Sequence, residues 1–225
     1  FSRKIIEAGA HGITVHPRPD QRHIRADDLS DLIEITEKLG VEFNIEGNPF
    51  EERLGDYPGF LNLIDAIKPA QCTLVPDDSN QLTSDHGWNI HAEHSQLVDV
   101  LQFLKKNNIR SSIFIDPDKE QIKAVNDLGI STVEFHTGSY ANAFIKNKNI
   151  DKEFKKIEEN VFFAKEKGIN CHAGHGLTFE NVAKIAGLPD IIELNIGHFI
   201  IADSIFNGLQ NSILKMRNII TKASI

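Results

Sequence analysis

The chain has 225 residues, of which 40% are hydrophobic and 25% charged, an ordinary globular composition. Its net charge of −8 argues against broad binding to nucleic acid or anionic membranes, so any anionic ligand must be held by a local cluster. No apolar run approaches the ~20 residues of a membrane span and no secretory leader pattern opens the chain. The two cysteines, Cys72 and Cys171, lie in apolar segments and do not suggest a disulfide scaffold. These features predict a soluble, cytoplasmic protein with one domain spanning residues 1–225.

In chain order, short β-rich runs alternate with helical patterns. Residues 1–10 read as the end of a helix. Strands are expected at 12–16, 42–46, 71–76, 110–116, 131–136, 170–175 and 191–197, with starts about 30 residues apart on average. Between them, Asp27–Asp28 opens a helix that stops near Gly40, and Asp116-Pro117-Asp118 opens another that stops near Gly129. Residues 151–168 place Phe154, Ile157 and Val161 on one helical face, and Thr178 reads as the N-cap of a helix running to Gly187. Repeated βα units imply a parallel sheet covered by helices. The repeat length fits a (β/α)8 TIM barrel with extra helices, whereas a doubly wound sheet would need a glycine-rich dinucleotide loop that does not follow the first run. With seven strands in view, the first strand of the barrel is expected to precede Phe1.

Each run gives way at its C-terminal end to polar or turn residues, where barrels carry their catalytic groups. Alternation places Thr14 and His16, Asn44 and Glu46, and Glu134 and His136 toward the barrel interior, with Ile13, Val15, Phe43, Ile45, Val133 and Phe135 toward the helices. Carboxylates inside a barrel are costly unless paired or functional. Together with histidines, which titrate near neutral pH, they suit repeated proton transfers. His136 and His172 could equally be satisfied core histidines.

The loop 16–25 carries Arg18, Arg22, His23 and Arg25, the densest cationic stretch of an acidic chain, and arginine suits bidentate phosphate contacts. Arg22 and Arg25 read as the more ordinary surface residues. A second anion site is expected where His172-Ala-Gly-His-Gly-Leu-Thr178 and Asn195-Ile-Gly-His198 end the last two strands, because glycine frees backbone amides for phosphate. Two phosphate sites on one mouth suggest two phosphorylated substrates being joined. His172 and His175 lack the further ligands of a metal site, so no metal is expected. The stretch 77–87 reads as a long loop, a candidate lid. A phosphosugar isomerase or aldolase would share the anion loops, but a Schiff-base aldolase needs a lysine at a strand end and none is present. A non-catalytic phosphometabolite sensor would have no use for Glu46 and Glu134 inside the barrel.

Gly12-Ile-Thr-Val-His-Pro-Arg-Pro-Asp20 with Arg22-His-Ile24, Asn44-Ile-Glu46, Leu74-Val-Pro76, Glu134-Phe-His-Thr-Gly138 with Tyr140-Ala141, Ala173-Gly-His-Gly-Leu-Thr178 and Glu193-Leu-Asn-Ile-Gly-His198 together resemble the pyridoxine 5′-phosphate synthase family. The resemblance runs in order from Gly9 to about Gly208. It implies a (β/α)8 barrel with extra helices, no metal or organic cofactor, and a homo-octamer built as a tetramer of dimers. The implied reaction condenses 3-amino-2-oxopropyl phosphate with 1-deoxy-D-xylulose 5-phosphate into pyridoxine 5′-phosphate, phosphate and water. It further implies His16 and Glu46 as proton acceptors, His175 as a proton donor and Glu134 as a transition-state stabiliser. Arg18, His23 and Thr83 would hold the deoxyxylulose phosphate, and Gly176, Gly197 and His198 the aminoketone phosphate. The family's first strand also supplies an asparagine and an aspartate–histidine pair, and a following loop supplies an arginine. These have no counterpart in this sequence.

Overall fold

The structure, a computed structural model, describes residues 1–78 and 81–224, with the side chains of Glu93 and His94 outside that description. Seven strands form one parallel sheet in chain order: β1 (Gly12–Val15), β2 (Glu42–Gly47), β3 (Gln71–Leu74), β4 (Arg110–Ile115), β5 (Thr132–His136), β6 (Asn170–Gly174) and β7 (Ile191–Asn195). Every expected strand is present. The sheet curls nearly into a barrel. β1 and β7 are its two ends, and the Thr14 hydroxyl on β1 donates to Asn195 Oδ1 on β7 across 3.0 Å. The seven strands, their parallel order and the intervening helices are those of a (β/α)8 TIM barrel.

Ten helices connect and flank the strands: α1 (Ser2–Glu7), α2 (Asp28–Leu39), α3 (Phe60–Ile67), α4 (Ile90–Lys106), α5 (Lys119–Asp127), α6 (Gly138–Ile145), α7 (Ile150–Glu166), α8 (Val182–Ala186), α9 (His198–Asn207) and α10 (Leu209–Ala223) among the described residues. Asp118 caps α5 by accepting from the Glu120 amide at 2.8 Å, which satisfies one orphan donor of the first turn. Gly40 ends α2 at φ +65°, a left-handed turn that costs glycine nothing. The helix expected from Thr178 begins only at Val182. The reason is local: Thr178 Oγ1 accepts from the Glu180 amide and the Thr178 amide donates to Asn181 Oδ1, so a side-chain-bonded turn displaces the first helical turn.

The apolar core lies between sheet and helices. Ile13, Val15, Phe43, Ile45, Val133 and Phe135 are buried in it, as alternation requires. Ile157 and Val161 bring α7 onto the same core, with Phe154 partly buried against it. Each such side chain contributes roughly 1.5–3 kcal/mol on burial. Cys72 and Cys171 are buried and unpaired. Among the described residues no helix is long and apolar enough to cross a membrane.

Candidate active site

The other face of the alternation builds a polar interior. The Asn44 amide donates to Thr14 at 3.2 Å and to Thr73 at 3.0 Å, tying β1, β2 and β3 together inside the barrel. Asn195 Nδ2 donates to Glu134 Oε2 at 2.8 Å and to Glu193 Oε1 at 3.2 Å. Deeper in, His172 Nδ1 lies 3.3 Å from Glu193 Oε1. Burial pushes Glu193 up, but contacts with His172, Asn195 and Gln71 outweigh it and hold the group below the usual carboxylate range. His172 is thus a partnered interior histidine.

At the C-terminal mouth, His16 directly follows β1 and Glu46 sits near the end of β2. His16 Nδ1 is 3.1 Å from Glu46 Oε1. Glu134, on β5, is 2% exposed. Burial raises it well above the ordinary carboxyl range, and repulsion from Glu46 and Glu193 adds to this, against a smaller opposing effect of the Asn195 hydrogen bond. Gly174 on β6 leaves room for it, since a Cβ there would come within 2.2 Å of Glu134 Oε1.

His175 follows β6 at φ +79°, a left-handed backbone that is strained for a non-glycine residue. The turn is held from below: the Thr137 hydroxyl lies 2.7 Å from the Gly174 carbonyl and 2.5 Å from that of His175. Asn181 Nδ2 donates to the Gly176 carbonyl at 3.0 Å, and the Tyr140 hydroxyl donates to the Asn181 carbonyl at 2.9 Å. His136 Nδ1 is 2.9 Å from Asp116 Oδ1. Burial raises the Asp116 carboxyl, but the His136 contact and the Gly87 amide outweigh it and lower the group overall.

The cationic loop divides in two. Arg18 is 6% exposed and its Nη2 bonds Asp77 Oδ2, while Ser84 Oγ donates to the same oxygen at 2.7 Å. Arg22, which read as a surface residue, is exposed but reaches the Gln81 carbonyl at 2.7 Å, linking the loops after β1 and β3. His23 and Thr83 are exposed on these loops, Gly176 and Gly197 are exposed after β6 and β7, and His198 is exposed as the first residue of α9. His16, Glu46, Glu134 and His175 therefore cluster, and Gly176 directly follows His175, while among the described residues no side-chain hydrogen bond or ion pair joins His23, Thr83, Gly197 or His198 to that cluster. Ser79 and Asn80, within the candidate lid, lie outside the described residues. Among those described, no group of three or more His, Cys, Asp or Glu side chains is arranged to hold a metal ion.

Sequence reading took Asp77 as the start of a candidate lid and Asn195 as part of an anion loop, but it missed that Asp77 pairs with Arg18 and that Asn195 bonds Glu134. It also missed Glu51 and Tyr57 in the loop after β2. Glu51 and Tyr57 carry no local signal, because their neighbours are brought to them by other loops.

Over residues 1–222 the chain matches the family described as "Pyridoxal phosphate biosynthesis protein PdxJ". It is 43% identical over 213 residues to pyridoxine 5′-phosphate synthase of Xanthomonas axonopodis pv. citri (strain 306), covering 94% of this chain and 83% of that one. It is 41% identical over 218 residues to the enzyme of the same name from Sulfurihydrogenibium sp. (strain YO3AOP1), covering 97% and 86%. Among solved structures, the Amycolatopsis orientalis BexX/CysO complex superposes with a TM-score of 0.64 at 16% identity, covering 99% of this chain and 83% of that one. Tryptophan synthase from M. tuberculosis superposes with a TM-score of 0.64 at 12% identity, covering 99% and 85%. These two share the fold. By its match along nearly its whole length, the chain belongs to the PdxJ family of pyridoxal phosphate biosynthesis proteins, and it is an enzyme.

Proposed function

We propose that the protein condenses 3-amino-2-oxopropyl phosphate with 1-deoxy-D-xylulose 5-phosphate to give pyridoxine 5′-phosphate, phosphate and water, the last step of de novo vitamin B6 synthesis. The observation that carries this reading is the His16–Glu46 pair at 3.1 Å, set at the same mouth as buried Glu134. Joining an aminoketone to a ketone proceeds through Schiff-base formation, phosphate elimination, enol formation, ring closure and loss of water. Each step moves protons, so several acids and bases around one cavity supply the chemistry.

In this reading His16 and Glu46 accept protons and His175 donates one. Burial lowers His175 below the usual histidine range, with His136 adding to the effect, which makes its cation a readier proton donor. Glu134 stabilises charge that develops during the reaction. Arg18, His23 and Thr83 hold the deoxyxylulose phosphate, and Gly176, Gly197 and His198 hold the aminoketone phosphate. The reading calls for no metal or organic cofactor and for no nucleic-acid or membrane partner. It places one barrel domain over residues 1–225 in the cytoplasm, assembled as a homo-octamer.

The test mixes chelator-treated full-length protein with both substrates and follows pyridoxine 5′-phosphate by its fluorescence. Product without added metal supports the synthase. Absence of product from folded protein that binds both substrates would reduce it to a phosphometabolite sensor or another phosphosugar enzyme.

A further inference from the structure

The loop after β2 folds Glu51 inward. Its amide donates to the Asn48 carbonyl at 3.2 Å, and its carbonyl accepts from Phe60 at the start of α3 at 2.9 Å. Asn48 in turn donates to the Asp77 carbonyl at 2.8 Å. Both carboxyl oxygens of Glu51 are buried, and the partner within reach of that carboxyl is the Tyr57 hydroxyl of its own loop. Three neighbouring buried atoms complete no hydrogen bond among the described residues: His16 Nε2, Arg18 Nη1 and Asp77 Oδ1. Buried polar atoms are ordinarily satisfied, and three unsatisfied ones around a buried carboxyl mark a chamber built around something polar.

The charges facing Glu51 come from three loops. His16 and Arg18 follow β1, Asp77 follows β3, and Tyr57 lies in its own loop. Glu46 stands behind His16. Arg18 is already neutralised by Asp77 through Nη2, which leaves Nη1 as its free donor. A phosphate dianion that takes Nη1 meets the Asp77 carboxylate in the same chamber. If Glu51 were also ionised, the Arg18–Asp77–Glu51 set would carry a net negative charge and no acid O–H. With a proton on Glu51 the set is neutral and supplies a donor.

We propose that Glu51 is a further phosphate-binding group of this site, and that it enters the complex as a carboxylic acid, so that binding a phosphate dianion beside Arg18 takes up one proton. The inference rests on the reading above that Arg18 holds the deoxyxylulose phosphate. Burial supports it by pushing the Glu51 carboxyl up to about 7, against the pull of His16, Arg18 and the Tyr57 hydrogen bond and with a push from Asp77.

The experiment titrates full-length protein with 1-deoxy-D-xylulose 5-phosphate by calorimetry at pH 8, in two buffers of different ionisation enthalpy. The ligand is then already a dianion, since its phosphate titrates near 6. The expected result is uptake approaching one proton, with Kd weakening by nearly tenfold per pH unit above 8. In Glu51→Gln, which mimics the protonated acid, uptake vanishes and Kd stays flat with pH. Should that variant fail to fold, Glu51→Ala replaces it, because uptake must vanish there too. A merely structural Glu51 leaves the pH profile unmoved. Binding without proton uptake, or uptake that persists in the variants, overturns the inference and leaves the substrate reading intact. No binding of the ligand overturns the reading itself.

Discussion

The imidazole of His175 stands edge-on to that of His136, with ring centroids 4.9 Å apart and planes inclined by 67°. His136 is held on two sides: Asp116 bonds its Nδ1 and Phe114 packs on its ring at 5.2 Å, while Gly138 leaves room for its Nε2, since a Cβ there would come within 2.4 Å. His175 is thus held against a second imidazole on a strained turn, and both burial and that neighbour disfavour its cation.

His175 is therefore expected to titrate below 6.5, and His136→Phe, which keeps the packing but removes the second ring's charge, should move it upward. The folded state then binds fewer protons than the unfolded chain. The contribution of His175 to stability is full above the unfolded value and is lost as pH falls from there through the lower folded value, and the variant should blunt that loss. Imidazole resonances followed by NMR against pH check this, and an unmoved His175 in the variant would refute the electrostatic link.

Glu46→Gln keeps the shape of the side chain and removes its basicity. Because the change is isosteric and Gln can still bond His16, folding should be little affected although the side chain is only 17% exposed, while turnover should fall by roughly 10²–10⁴-fold, the usual contribution of a positioned base. Single-turnover kinetics beside a thermal melt separate the two effects. Normal turnover in a folded variant would remove Glu46 from its role.

Two glycines make a contrasting pair. A Cβ at Gly174 meets the Glu134 carboxyl at 2.2 Å, the end of a flexible side chain, whereas one at Gly87 meets the backbone of Ile115 and Asp116 at 2.3 Å. Gly174→Ala should therefore melt near the wild-type temperature and lose about 10²-fold in kcat, because it shifts a reacting group by roughly an ångström. Gly87→Ala should lose about 1–3 kcal/mol or more, because the loop after β3 cannot lie against β4. Urea melts and kcat for both variants test the contrast. Equal stability losses would mean that Glu134 cannot yield.

The strands were legible because β-branched runs recur at a regular spacing and end in polar residues, and alternation correctly sorted Phe43 and Ile45 from Asn44 and Glu46. That His16 and Glu46 meet was legible for the same reason: both stand at strand ends, where side-chain direction follows from the pleat. The Thr178 cap was misread because Thr178 takes the Glu180 amide while Asn181, three residues on, takes the Thr178 amide, closing a side-chain-bonded turn that delays the helix to Val182. Glu51 was invisible because its setting depends on Arg18 and Asp77, which arrive from loops about 30 residues away on either side. Neither its burial nor its neighbours leave a periodic trace.

The Arg18–Asp77 pair offers the sharpest stability test. Asp77 is fully buried and Arg18 nearly so, and the Ser84 hydroxyl depends on the same carboxylate oxygen. Removing one buried partner strands the other charge without solvent, at a cost of about 3–5 kcal/mol. Asp77→Leu should lose that amount, plus about 1 kcal/mol for the orphaned Ser84 hydroxyl. Arg18→Leu should lose a similar amount by leaving Asp77 alone. The double variant Arg18→Leu/Asp77→Leu removes both charges together and should recover most of the loss, while abolishing phosphate binding at this loop. Urea unfolding of the four proteins closes the cycle. Strictly additive losses would show that the two charges do not stabilise each other across the β1 and β3 loops.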